Sequence, residues 1–372
     1  MTTPQTNRGG PTGIVMMNLG GPKTLDDVGP FLMKLFEDRE IIQLPVQNFL
    51  GPFIAKRRTP SVQKLYEEIG GGSPILEWTE LQGRAMVARL DRMSPETAPH
   101  RFYVAFRYIE PLSETALLRM KADGVRRAVA FTQYPQFSCA TTGSSLNELW
   151  RAAERLGLED EFGWSVIDRW PTHPTFVEAM TQTVRAGLAA FDPHERDDVV
   201  IVFSAHSLPM KVINRGDPYP QEIGATVHEV MTRLGFSHEY LLSYQSEVGP
   251  VAWLGASTAK VIRMLGQKGR KNVLAVGVAF TTDHIETLSE IDIEYRDLGR
   301  KVGITNFKRA PALNDDAVFL DALAEIVHEH LQRGEACTKQ YGFRCPGCEN
   351  PECRRVLNPV AGYVRRPLEG SD

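Results

Sequence analysis

The sequence predicts an α/β protein of two similar halves, each a four-stranded parallel sheet flanked by helices, with a cysteine-rich C-terminal extension. Three observations carry that reading. Short apolar, β-branched runs alternate with longer amphipathic stretches, the pattern of parallel βαβ units. A length of 372 residues suits two domains at roughly 150 residues each. Four of the five cysteines (Cys337, Cys345, Cys348, Cys353) stand in the last tenth of the chain, with Cys139 alone upstream.

In chain order, the first strand falls at 14–18, an apolar run ending in Asn18. Residues 38–60 lack periodicity and carry three prolines, so they read as a long loop or apolar lip. A helix at 75–90 leads to strands at 102–107 and 128–132, and a helix at 145–156 to a strand at 165–168. The second half repeats the alternation. Strands are expected at 199–204, 240–244, 273–280 and 304–308, with helices at 176–188, 256–265 and 317–331. The domains expected are 10–165, 166–330 and the extension 331–372.

Composition excludes several classes. Lys and Arg total 42 against 46 Asp and Glu, a net charge of -4, which argues against nucleic acid as a partner. With 42% hydrophobic and 24% charged residues, the chain is neither disordered nor a coiled coil. No apolar run approaches the ~18 residues of a membrane span. The first thirteen residues lack the apolar core of a secretory signal. An intracellular setting is therefore expected, with reduced thiols or metal-ligating cysteines.

Ligands of open α/β sheets bind beyond the carboxyl ends of the strands. There the sequence places Asn18-Leu19-Gly20-Gly21, Arg107-Tyr108, Gln133-Tyr134, Asp168-Arg169-Trp170, His206-Ser207, Gln245-Ser246 and Asp283-His284. That mixture of histidine, arginine and aromatic surface predicts a cleft. A strand-end imidazole such as His206 can accept a proton near neutral pH. In 280–295, Asp283 or Thr282 can cap a helix starting near His284, with Ile285, Leu288, Ile291, Tyr295 and Leu298 as its buried stripe. Glu286, Glu290 and Glu294 then form a row suited to moving protons or holding a divalent cation. Neither glycine-rich segment fits a nucleotide loop. Cys345-x2-Cys348-x4-Cys353 offers three soft ligands, and Cys337 or Cys139 a fourth, for zinc or an iron–sulfur cluster. Lys56-Arg57-Arg58 beside the apolar 49–54 suits a membrane surface or an anionic amphiphile.

The segments MMNLGGP, FIAKRRTP, IGGGSPI, AFRY, FTQYPQFSCATTGSSLN, IDRWPTH, FSAHSLP, NRGDPYPQE, YQSEVGP and FTTDHIETLSEIDIEY resemble those of the ferrochelatases, from residue 14 to the cysteine tail. The resemblance implies two Rossmann-like, chelatase-like domains and insertion of ferrous iron into protoporphyrin IX, the last step of haem biosynthesis. It implies His206, Glu286 and His284 as catalytic residues, with His206 and Glu286 meeting the iron. Asn18, Leu19, Arg58, Tyr66, Ser73, Arg107, Tyr108, Tyr134, Ser138 and Trp253 would hold the porphyrin. Asp283, Glu290 and Glu294 would form a proton or metal conduit. Cys139, Cys345, Cys348 and Cys353 would hold a [2Fe-2S] cluster, with Cys337 a bystander. Leu19 departs from the Met of many animal and fungal members, and Glu247 from a basic residue in some. A homodimer with peripheral membrane contact is implied. The setting would be a bacterial inner membrane, or the mitochondrial inner membrane for a processed chain. A coproporphyrin or cobalt chelatase, or an iron–sulfur or haem sensor on the same fold, are the alternatives.

Overall fold

The structure is a computed structural model that describes residues 10–42 and 44–350. All eight expected strands form. β1 (Thr12–Asn18), β2 (His100–Phe106), β3 (Arg127–Thr132) and β4 (Gly163–Ile167) make a parallel sheet in the order β2-β1-β3-β4. β5 (Val200–His206), β6 (Tyr240–Gln245), β7 (Asn272–Gly277) and β8 (Asn306–Arg309) make a second in the order β6-β5-β7-β8. The two orders are the same, so β1 and β5 hold equivalent inner positions. Both are buried along nearly their whole length, as expected of strands covered by helices on each face.

One apolar core runs through both halves, joining Met16 and Phe131 to Phe203, Val276 and Phe319 through Trp170 and Phe176. The late helix Ala317–Arg333 closes it by packing on Ile75–Met93 of the first half and on Pro174–Ala189. Buried Gln82 adds a polar stitch, donating to the carbonyls of Thr281 (3.2 Å) and Asn314 (2.8 Å).

Two expectations are corrected. The expected loop at 38–60 is helical over most of its length, within a helix Gln47–Glu68 that contains Pro52 and Pro60. Tertiary contact outweighs the missing amide donors. Gly51 lies so close to the preceding helix Val28–Glu37 that a Cβ there would meet the Phe36 carbonyl oxygen at 2.7 Å. Gln47 fixes the helix start by accepting from Leu44 N–H and donating to the Ile42 carbonyl. β4 ends at Ile167, which pairs with Phe131 in the first sheet. The helix expected near His284 is a π-helix, Glu286–Tyr295. Neither Thr282 nor Asp283 caps it. Asp283 instead accepts from Thr287, Asn314 and Arg309, which ties the segment to β8.

The extension adds to the edge of the first sheet. Val166 N–H donates to the Ala336 carbonyl at 2.7 Å, and Tyr341 is buried in the first half's second core with Cys337 packed against it.

Candidate active site

β5 carries His206 to the carboxyl edge of its sheet, and the π-helix brings Glu286 to the same edge. His206 Nδ1 lies 2.8 Å from Glu286 Oε1. Glu286 Oε2 is hydrogen-bonded to His284 Nε2. His284 Nδ1 lies 2.8 Å from the Thr282 carbonyl. That carbonyl can only accept, so His284 Nδ1 carries hydrogen. Its Nε2 faces a carboxylate, an acceptor when ionised, so it carries hydrogen as well. His284 is thus an imidazolium, assigned from its partners. His206 donates through Nδ1, and Nε2 has no hydrogen-bond partner among the described residues. Its side chain is 38% exposed, so the ring is open to a ligand.

Burial opposes charge on all three groups, yet their contacts prevail. Glu286 is held well below the usual carboxylate range by the two histidines. The His206 pKa is raised by Glu286 and Glu290 against the desolvation that would lower it. His284 is raised in the same way by Glu286, by the Thr282 carbonyl and by Asp283. The Phe280 ring sits edge-on to His284 with centroids 4.8 Å apart.

Further along the π-helix, Glu290 accepts from Gln245 Nε2 (2.9 Å), Ser246 N–H (2.7 Å), Ser246 Oγ–H (2.5 Å) and Tyr295 O–H (2.7 Å). Ser246 holds a left-handed φ of 67°, and those two bonds keep it there. Glu294 is exposed, and its pKa is raised by desolvation and by Glu290 and Glu68. The carboxylate row therefore runs from Glu286 beside His206 to the exposed Glu294. Sequence reading missed Gln245, Ser246 and Tyr295 as its supports. The only signals were a strand end and a tyrosine assigned to the buried stripe.

The first half faces this site with neutral groups. Tyr134 donates to Asn18 Oδ1 (2.9 Å) and accepts from Leu19 N–H (2.8 Å). Burial raises the hydroxyl pKa of Tyr134 and of Tyr66, and the Glu286 charge raises both further. Two protonated phenols thus stand near the anion. Ser73 lies against the first strand's turn, where a Cβ on Gly21 would meet its Oγ at 2.8 Å. Arg58 stacks over Phe36 at 5.8 Å, and Trp253 Nε1 donates to the Val248 carbonyl beside the segment that follows His206.

Other expected residues are engaged elsewhere. Arg107 is 7% exposed, paired with Asp38 and Glu148 and bonded to Ser144 (2.9 Å). Tyr108 donates to the same Asp38 at 2.7 Å. Ser138 is fully buried, with its hydroxyl on Asp217 (3.1 Å).

Cys139 follows Ser138 directly. Its thiol pKa is pushed up by burial and by Asp217. The turn that carries Cys345 and Cys348 reaches the same seam, where Gly347 N–H donates to the Arg215 carbonyl two residues before Asp217. Cys348 N–H closes a turn onto the Cys345 carbonyl at 2.9 Å. Soft donors converging from two parts of the chain suit zinc or an iron–sulfur cluster. Among the described residues, no three metal-ligating side chains lie close enough to hold an ion. Cys353 lies outside the described residues.

Two like-ordered parallel sheets, with a histidine–carboxylate–histidine site facing aromatic hydroxyls, define an α/β enzyme of the chelatase type. The chain belongs to the ferrochelatase family, whose family model matches residues 11–331. It is 55% identical to "Ferrochelatase, mitochondrial" of Xenopus laevis over 343 residues, covering 92% of this chain and 84% of that one. The Homo sapiens protein of the same description is 54% identical over 346 residues, covering 93% and 82%. That of Drosophila melanogaster is 51% identical over 344 residues, covering 92% and 90%.

Proposed function

We propose that the chain inserts ferrous iron into protoporphyrin IX to make protohaem, the last step of haem biosynthesis. One observation carries the chemistry. His206 Nδ1 lies 2.8 Å from Glu286 Oε1, and the His206 side chain is 38% exposed. Metallation displaces two pyrrole N–H protons, so a base of near-neutral pKa is required. Nε2 accepts the two protons in turn and passes each to the acidic row, and Glu286 stabilises the imidazolium formed each time. Both residues meet the incoming iron. The row from Glu286 through Glu290 to Glu294, with Asp283 at its head, carries protons or iron between cleft and surface. Asn18, Leu19, Tyr66, Tyr134 and Trp253 contact the macrocycle, and Arg58 and Ser73 anchor its propionates. Arg107, Tyr108 and Ser138 brace these walls.

Val46, Phe49 and Phe53 are 74%, 70% and 59% exposed, beside a groove lined by Met33 and Pro52 with Lys56 at its edge. Apolar side chains next to a basic cluster support peripheral membrane contact, from which a sparingly soluble porphyrin can enter. No helix among the described residues is long and apolar enough to cross a membrane. The surface read here is the bacterial inner membrane or the matrix side of the mitochondrial one. A homodimer and domains near 10–165, 166–330 and 331–372 complete the reading. Cys139, Cys345, Cys348 and Cys353 would hold a [2Fe-2S] cluster, which would supply a covalent tie between the first half and the extension.

The test is an anaerobic insertion assay with ferrous iron and protoporphyrin. His206→Ala should lose about 10²–10⁴-fold in rate with an unchanged far-ultraviolet dichroism spectrum. Retained turnover would overturn the assignment. Anaerobically purified protein should be brown with visible charge-transfer bands. A colourless zinc-loaded preparation would point to zinc.

A further inference from the structure

One segment, residues 214–219, touches both the cysteine seam and the proton acceptor. At one end, Gly347 N–H donates to the Arg215 carbonyl at 2.9 Å, and Arg215 pairs with Glu349. Pro346 presses on Gly216, which holds a left-handed φ of 92°. A Cβ there would meet Pro346 Cδ at 2.6 Å. The chain that carries Cys345 and Cys348 therefore rests directly on Arg215 and Gly216.

In the middle stands Asp217, 2% exposed. Its Oδ2 accepts from Cys139 N–H (2.8 Å) and Ser138 Oγ–H (3.1 Å), and its Oδ1 accepts from Tyr219 N–H (3.0 Å). A buried carboxylate requires such donors, and here each comes from an element that must stay in register. At the far end, Tyr219 O–H donates to the His206 carbonyl at 3.0 Å. Tyr219 is itself 5% exposed, so its ring cannot follow a displaced partner. The contacts run without a break from the cysteine turn to the backbone of His206.

We infer that residues 214–219 form a strut through which the cysteine seam sets the position of His206, with Asp217 and Tyr219 as its positioning residues. Neither touches the reacting atoms. They fix the last peptide of β5, and so the approach of the imidazole to Glu286 and to a ligand. The effect on rate rests on His206 being the proton acceptor.

Tyr219→Phe removes one oxygen and keeps the buried ring. Its kcat for ferrous insertion should fall about 3–10-fold, the worth of one hydrogen bond. The KM for porphyrin should hold. In full-length protein labelled with ¹⁵N-histidine, the His206 side-chain signals should move at fixed pH. Asp217→Asn keeps the size of the side chain but weakens its grip on Ser138 and Cys139. It should give a similar fall in kcat, the same signal movement, and faster hydrogen exchange at the Cys139 amide, whose N–H donates to Asp217. Because both changes cut one path, the double variant should fall less than the product of the single effects. Wild-type kcat and unmoved signals in Tyr219→Phe would overturn the positioning role. Faster Cys139 amide exchange in Asp217→Asn with unmoved His206 signals would overturn the coupling. If the wild-type protein inserts no metal, the proposed function fails, and the signals and amide exchange still decide the strut.

Discussion

β1 and β5 occupy the same place in sheets of the same order, yet they end in opposite chemistry. β1 ends at Asn18, a neutral amide whose oxygen is satisfied by Tyr134. β5 ends at His206, a partly exposed imidazole gripped by a carboxylate. The first half does carry charge at its strand ends, but it is consumed internally, where Arg107 meets Asp38 and Glu148 out of solvent. The second half leaves its charge at the cleft. The fold provides two similar ledges, and the side chains placed on each decide which one reacts. Under the proposed function, one ledge would hold a flat ligand in place and the other would move protons.

The sharpest way to break this contrast is to remove the anion. Glu286→Gln should lower insertion by about a thousand-fold, since His206 loses the group that orients it and stabilises its charged form. The corresponding change on the other ledge, Asn18→Ala, should cost less than about 10-fold and raise KM more than it lowers kcat. Equal losses in the two variants would erase the division of labour.

The next test moves from rate to stability. Arg107→Leu strands Asp38 and Glu148 in a buried setting and should cost about 3 kcal/mol in denaturant unfolding. His206→Ala, at a partly open site, should cost less than about 1 kcal/mol. If the order is reversed, the first half's charges do not brace the fold.

A smaller effect concerns pH. The Glu286 pKa is depressed below its usual 4.5, so its share of stability is present above that value and lost as pH falls through the folded one. The His206 and His284 pKa values are raised above 6.5, so their share is complete below 6.5 and lost as pH rises through the folded ones. Both shares are complete only between those two values. The melting temperature gap between wild type and Glu286→Gln should therefore be widest between pH 4.5 and 6.5 and shrink toward pH 9. A gap that widened with rising pH would contradict the triad's charge assignment.

The smallest effect is expected at Tyr295→Phe. It removes one of four hydrogen bonds on Glu290 and should slow insertion by no more than about 5-fold. A loss as large as that of Glu286→Gln would place the decisive carboxylate further along the row.

Much of this organisation was legible in the residues. The eight strands follow from apolar runs, because a strand buried on both faces must be apolar throughout. His206 and His284 were legible as polar side chains after strands, and Glu286 as the first of a carboxylate row on a helix. The helix Gln47–Glu68 was not, since its two prolines and missing apolar stripe give no helical signal. It stands because Gly51 and Gln47 lock it onto its neighbour. The π-helix was not legible either. Glutamates four apart suit an α-helix nearly as well, and only the backbone bonds tell the two apart.

By itself the sequence determined the two α/β halves, the polar strand ends, the acidic row and the grouping of cysteines, because each is a local pattern of residue type and spacing. The tertiary structure decided which charges remain available. Arg107 is silenced by Asp38, nearly seventy positions earlier, while His206 is left open by a partner eighty positions later. Local spacing carries no record of such encounters. A side chain's protonation and reach depend on what folding places within a few ångströms of it, and on how much water stays there.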